Sequence, residues 1–308
     1  MNPLRTLILA AAGNDTVRRA VANTPVTRGV VRRFVAGEKA DDAVAVTGDL
    51  VADGLAVTLD HLGEHTTDRE LAEQAVQAYL HLLDLLDASG LAARAEVSVK
   101  LSAVGQALGE ALALENASRI CAAAEKHGTT VTLDMENHTT TDSTLRVLAE
   151  LRCEWPWVGA VLQAYLRRTL EDCRALAGPG SRVRLCKGAY AEPDSVAHAT
   201  PHEIDLNYVR CANVLLEGDG YPMFATHDPR LVEIIGERVR WYDRRPDSFE
   251  YQMLYGVRPA EQLRLAAEGN VVRVYVPYGE QWYGYLMRRL AERPTNAAFF
   301  LRSLATRS

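Results

Sequence analysis

Two groups of residues in this chain have types and spacings that could do chemistry. The first is a set of polar and ionisable residues standing at the ends of short apolar runs. They are Asp60, Lys100, Asp134 with Met135 and Glu136, Gln163 with Tyr165, Arg184 with Lys187 and Tyr190, Thr226 with His227 and Asp228, Gln252, and Tyr275. Strand ends meet solvent and are often polar, so any one of these has an ordinary structural reading. Eight successive runs that all end this way ask for more. The second group is EQWYGYLMRRLAER, residues 280–293, which runs up to Pro294. On a helix, Tyr285, Arg288 and Glu292 share one face, and Arg289 and Arg293 form the neighbouring row. Such spacing usually marks a solvated face with a surface ion pair. Here Trp282, Tyr283, Tyr285 and Leu286 leave the helix little polar surface besides its arginines. Two adjacent guanidinium forks suit a small carboxylate, because their geometries match.

The elements that must position these residues are readable from apolar periodicity. Short β-rich runs recur at 55–59, 96–101, 130–133, 159–163, 182–186, 222–225, 249–253 and 271–276. Helix-like segments separate them. In one, Leu71, Ala75, Ala78, Leu82 and Leu85 or Leu86 recur at three- and four-residue steps before Ser89-Gly90. Another, ENASRICAAAEKHG, stops at Gly128, where a left-handed cap is easiest. Eight such alternations imply parallel strands, because parallel neighbours need a crossover. They can close into a barrel, with the active residues at the C-terminal strand ends. Strand counting leaves an open doubly wound sheet as the alternative, although no GxGxxG follows any strand. Residues 1–50 read as an N-terminal helical arm and 51–308 as the catalytic barrel.

Composition narrows the class further. The 308 residues are 48% apolar and 24% charged, as in ordinary globular proteins, and 34 basic against 40 acidic side chains leave a net charge of −6. The two signs are mixed along the chain, which argues against nucleic acid as a partner. The five cysteines, Cys121, Cys153, Cys173, Cys186 and Cys211, show no CxxC spacing and read as free thiols in a reducing cytosol. Arg5 followed by LILAAA mimics a short secretory signal, but Asn14 and Asp15 follow at once, so an amphipathic first helix is expected. HLGEH, with His61 and His65, is not HExxH and offers no evident third ligand; His198 and His202 repeat the interval. No metal is expected, since protein zinc sites need three or four ligands.

Seven stretches together carry a family resemblance. SVKLSA (98–103), TLDMEN (132–137), VLQAYLRRT (161–169), VRLCKGAY (183–190), FATHD (224–228), FEYQMLYG (249–256) and YLMRRLAERPTN (285–296) resemble those of proline dehydrogenases, in family order, and the match spans roughly residues 50–300. The chain departs from the family pattern at Arg293-Pro294-Thr295 before Asn296, which bears on the end of the last helix. The resemblance implies an α/β fold, a distorted (β/α)8 TIM-type barrel with a substrate-covering C-terminal helix and non-covalent FAD over the strand ends. It implies that Arg288, Arg289 and Lys100 neutralise the carboxylate of L-proline, and that Tyr275 and Tyr190 wall its ring. Asp134 would be the acid that orients these cations, and Arg184 would reach the flavin near N5. Met135, Gln163, Lys187, Gly188, Ala189, Thr226 and His227 would hold the cofactor. Glu292 would pair with the substrate arginines and help close the helix.

The chemistry agrees with this. Proline offers a carboxylate, an amine and an otherwise apolar ring, and side chains do not accept hydride, so a cofactor must. The family further implies a cytoplasmic enzyme of proline catabolism that meets the inner face of the cell membrane to pass electrons to quinone. Two other readings explain parts of the pattern. A class I aldolase-like barrel would use Lys100 or Lys187 as a Schiff-base nucleophile, and a non-catalytic barrel would only bind an amino acid. The aldolase-like reading does not account for Tyr285, Arg288, Arg289 and Glu292 on the last helix, and the colour of the purified protein separates all three, yellow for a flavoenzyme and colourless for the other two.

Overall fold

Side chains along a strand point alternately to its two faces, and here the two faces have opposite character. The computed structural model describes residues 31–292; the side chains of Arg288, Leu290, Ala291 and Glu292 lie outside the described residues, as do residues 1–30 and 293–308. Its strands are β1 (Ala56–His61), β2 (Ala95–Lys100), β3 (Val131–Asp134), β4 (Gly159–Gln163), β5 (Arg182–Cys186), β6 (Tyr221–Ala225), β7 (Glu250–Leu254) and β8 (Val272–Tyr278). Each pairs in parallel with its successor, and β8 returns to pair with β1 over Ala56–His61, closing the barrel. The open sheet is thereby excluded. β4 and β5 have the expected bounds, and the other strands differ by no more than two residues at an end.

The outward faces make the hydrophobic core. Val57 and Leu59 of β1, Val97 and Val99 of β2, and Val274 and Val276 of β8 pack with Val76, Tyr79, Leu82 and Leu83 of the helix Arg69–Ala88 and with Ile120 of Glu110–Lys126. The inward residues of the same strands are Thr58 and Asp60, Glu96, Ser98 and Lys100, and Arg273 and Tyr275. The usual barrel lumen is filled by branched aliphatic side chains; this one is filled with hydrogen-bonded charge.

Local chemistry sets the helices between the strands. Asp68 caps Arg69–Ala88 through Glu70 N at 2.7 Å. Thr200 and Glu203 form a capping box at Pro201–Glu217, and Asp228 caps Pro229–Trp241, each with proline at the first turn. Most of the expected N-terminal arm lies outside the described residues. Its last part, the helix Ala40–Ala52, packs Ala43 into the same core as β1. Among the described residues no helix is long and apolar enough to cross a membrane.

Candidate active site

All eight strand ends open into one cavity of about 660 Å³, and Tyr285 and Arg289 of the last helix, Trp282–Glu292, complete its wall. Every residue given a substrate or cofactor role from the sequence lines this cavity, apart from Arg288 and Glu292, whose side chains lie outside the described residues.

Asp134 is the hub of the cavity floor. Register places it beside Lys100. Its carboxylate accepts from the Tyr275 hydroxyl at 2.6 Å, Ser98 Oγ at 2.7 Å and Arg184 Nη1 at 2.9 Å, with Lys100 Nζ at 3.5 Å. Burial alone would raise its pKa; Lys100 and Arg184 outweigh that and hold it below the ordinary value. Arg184 also donates from Nε to Gln252 Oε1 at 2.5 Å and lies 5.3 Å from the Tyr275 ring centre. It is thus held as a planar charge on the floor.

The sequence named Asp60 only as a polar strand end. The structure makes it the nearest counter-ion of Lys100, with Nζ 2.5 Å from Oδ1. Burial raises the Asp60 pKa, more than Lys100 lowers it. For Lys100 the balance runs the other way: burial lowers its pKa, but Asp60 and Asp134 together raise it well above normal. A Schiff-base lysine needs its pKa depressed to be nucleophilic, so Lys100 is built as a permanent cation. Lys187 is likewise paired, with Asp205 at 2.5 Å and Asp228 at 3.0 Å. That permanent charge stands against the aldolase-like reading at Lys100, and Lys187 is engaged by its two carboxylates.

The wall after β5 is a backbone cradle. Gly188 has φ +105°, and a Cβ there would sit 2.2 Å from the Tyr165 ring. Only glycine lets Lys187–Ala189 lie flat on that ring. The Tyr165 hydroxyl donates to Glu192 at 3.0 Å, and Glu192 also accepts from the His138 backbone N–H at 2.8 Å and contacts the His138 ring. The loops after β3, β4 and β5 are therefore tied together, a contact with no short-range signal in the sequence. Gln163 Nε2 donates to Glu136 O at 2.7 Å, which orients its amide. His227 Nε2 accepts from Leu254 N–H at 2.8 Å, so its ring proton is on Nδ1. Cys186 lines the cavity as well, its thiol pushed up to about 11 by burial.

The histidines of HLGEH part company. His61 packs among aromatics, 5.2 Å from the Tyr278 ring and 6.0 Å from that of Tyr79. His65 comes together with Glu64 and Glu136, their ligand atoms all within 4.8 Å of one another, a third partner that spacing did not reveal. Glu136 already accepts from Ser102 Oγ at 2.6 Å and Ser102 N at 3.2 Å.

A cavity of this size, with a permanent cation on its floor, a glycine cradle on one wall and aromatic rings on another, has room for a flat ring system beside a small amino acid. The comparisons with known proteins point the same way. The chain matches the Proline dehydrogenase family over residues 43–302. A proline dehydrogenase of Deinococcus radiodurans is 41% identical over 280 residues, covering 89% of this chain and 90% of its own. Proline dehydrogenase 1 of Bacillus subtilis (strain 168) is 36% identical over 301 residues, 98% of this chain and 99% of its own. Among solved structures, proline utilization A (PutA) from Bdellovibrio bacteriovorus inactivated by N-propargylglycine superposes with a TM-score of 0.81 at 26% identity. That alignment covers 92% of this chain and 34% of the other, so this chain spans about a third of that protein. With a family match across the whole barrel and relatives aligned almost end to end at more than a third identity, the chain belongs to the proline dehydrogenase family, whose activity is the oxidation of proline.

Proposed function

We propose that the chain oxidises L-proline to Δ1-pyrroline-5-carboxylate with FAD held non-covalently in the mouth cavity, where the flavin supplies the acceptor for the hydride leaving C5. The family is typically flavin-dependent. The observation that carries the reading is the cavity floor, where Lys100 and Arg184 are held as cations on either side of Asp134, with Arg289 in the wall above.

Each group in that arrangement has a task. Lys100, Arg289 and Arg288 receive the substrate carboxylate, and Tyr275 and Tyr190 pack against the ring. Asp134 keeps the cations apart and in register, and Glu292 pairs with the arginines of its own helix. Arg184 presents positive charge to the cofactor. Met135, Gln163, the Lys187–Gly188–Ala189 cradle, Thr226 and His227 hold its ring system and phosphates. N-propargylglycine, the inactivator of the Bdellovibrio protein, is a secondary-amine amino acid as proline is, which supports an amine-binding mouth here. Electrons then pass to a quinone at the inner membrane surface.

The purified protein is expected to be yellow and to bleach when titrated anaerobically with L-proline. A colourless protein, or a yellow one that L-proline leaves oxidised, would overturn the proposal.

Tyr275 sets the ring specificity in this reading. Its side chain is part-buried, lines the cavity and spends its hydroxyl on Asp134. A 4-hydroxyl on the substrate would meet the phenol ring, without a hydrogen-bond partner, at a cost of roughly 1–3 kcal/mol. Tyr275→Ser is therefore expected to lower kcat/KM for L-proline while narrowing the gap to trans-4-hydroxy-L-proline about tenfold. If the ratio of the two kcat/KM values stays constant and only thermal stability falls, the residue serves the barrel and not the substrate.

A further inference from the structure

Below the mouth, oppositely charged side chains alternate down the lumen. Asp60 contacts Lys100 at 2.5 Å, Lys100 contacts Asp134 at 3.5 Å, and Asp134 contacts Arg184 at 2.9 Å. Arg184 continues to Glu96 at 3.4 Å, and Glu96 to Arg182 at 2.6 Å and Arg273 at 3.8 Å. Arg273 ends the series on Glu250 at 2.8 Å. Four cations face four anions, so this ladder is neutral. Its upper members line the mouth cavity, whereas Glu96, Arg182 and Arg273 line a second cavity of about 340 Å³ at the opposite end of the barrel.

Glu96 is the joint between the two ends. It is 1% exposed. Thr58 and Thr132 donate to Oε1 at 2.8 and 3.2 Å, and Thr130 donates to Oε2 at 2.8 Å. Three threonines and Arg182 thus hold the carboxylate in place. Its approach to Arg184 is of a different kind. Arg184 makes its shorter bonds elsewhere, to Gln252 and Asp134, and meets Glu96 only through Nη2 at 3.4 Å. At that length the hydrogen bond is weak, and the interaction is mainly charge on charge in a water-poor lumen where screening is small.

We propose that Glu96 is a positioning residue that acts through Arg184, steadying its guanidinium from below and offsetting part of the positive charge that Arg184 presents to the flavin. The proposal rests on the reading that sets the flavin against Arg184. A reduced flavin carrying negative charge is stabilised by net positive charge nearby, so the midpoint potential of the bound flavin reports the balance. Removing the negative charge of Glu96 raises the potential. Removing the positive charge of Arg182, which touches Glu96 and has no contact with Arg184 among the described interactions, lowers it.

The test is an anaerobic redox titration of the flavin-loaded protein and of Glu96→Gln, Arg182→Gln and Arg184→Gln. Glu96→Gln keeps the shape of the side chain, so its shift reads charge rather than packing. The expected result is opposite shifts, more positive for Glu96→Gln and more negative for Arg182→Gln. A merely structural role would move both in one direction or neither. Either of those results overturns the proposal. Should Glu96→Gln not fold, Arg182→Gln decides alone: a more negative potential supports the charge balance at Arg184, and an unchanged or more positive one refutes it. If Arg184→Gln shifts the potential while the other two leave it unmoved, only the role of Glu96 falls. If Arg184→Gln leaves it unmoved, the placement of the flavin beside Arg184 falls with it.

Discussion

Asp134→Ala is expected to lower the thermal midpoint by about 10 °C and kcat/KM for L-proline by about a hundredfold or more. The reason is the number of groups that depend on one carboxylate. Tyr275, Ser98 and Arg184 donate to it, and Lys100 lies 3.5 Å away. Taking one partner from a buried ion pair costs about 3–5 kcal/mol, because the remaining charge stays desolvated. Here two cations are left, Arg184 with Glu96 and Lys100 with Asp60. Both stand on the floor where substrate and cofactor meet, so their displacement costs activity as well as stability. Asp134→Asn keeps the shape and one acceptor oxygen, and should fall between the alanine variant and the wild type. Thermal unfolding and steady-state kinetics on the three proteins check this. If the alanine variant keeps both the wild-type midpoint and the wild-type kcat/KM, Asp134 is not the hub.

Arg289→Ala should act differently, on binding more than on turnover. The side chain lines the cavity from the last helix, with Cζ 5.2 Å from the Tyr285 ring centre. It belongs to the last helix and not to a strand, so the closed β1–β8 sheet does not run through it. A charge-assisted hydrogen bond to a carboxylate is worth roughly 1.5–3 kcal/mol, which predicts a KM about ten to a hundred times higher with little change in kcat. Arg289→Lys restores a cation without the planar fork and should recover only part of the loss. The KM values of the three proteins for L-proline decide it; an unchanged KM in Arg289→Ala would remove this residue from the substrate site.

Much of the site was legible because its markers are local. Asp60, Lys100, Asp134, Gln163 and Tyr275 each stand within a residue of the end of a short β-rich run, and chain direction alone puts them at the same end of a parallel barrel. The two arginines of the last helix stood out because Trp282, Tyr283, Tyr285 and Leu286 leave that helix little polar surface besides them. The lumen was less legible, though a signal was present. In β2, Glu96, Ser98 and Lys100 alternate with Val97 and Val99, which puts the polar residues on one face and the valines on the other. Counting β2 as one more apolar run hid the fact that its polar face is the inner one.

What the sequence by itself determined is the order and kind of the elements. Period-two and period-four apolar patterns, with caps such as Asp68 and Thr200, depend on residues a few positions apart, and their energies are settled within the segment. The tertiary structure alone decided closure and pairing. β1 meets β8 across more than two hundred residues, and no local preference distinguishes that contact from an open edge. The same holds for which carboxylate neutralises which cation. Lys100 could have been balanced by any strand-end acid, and the register of β1 on β2 and of β2 on β3 brings both Asp60 and Asp134 to it. Coulomb energy depends on distance in space and on exclusion of water, and the barrel creates both only when its last strand reaches its first.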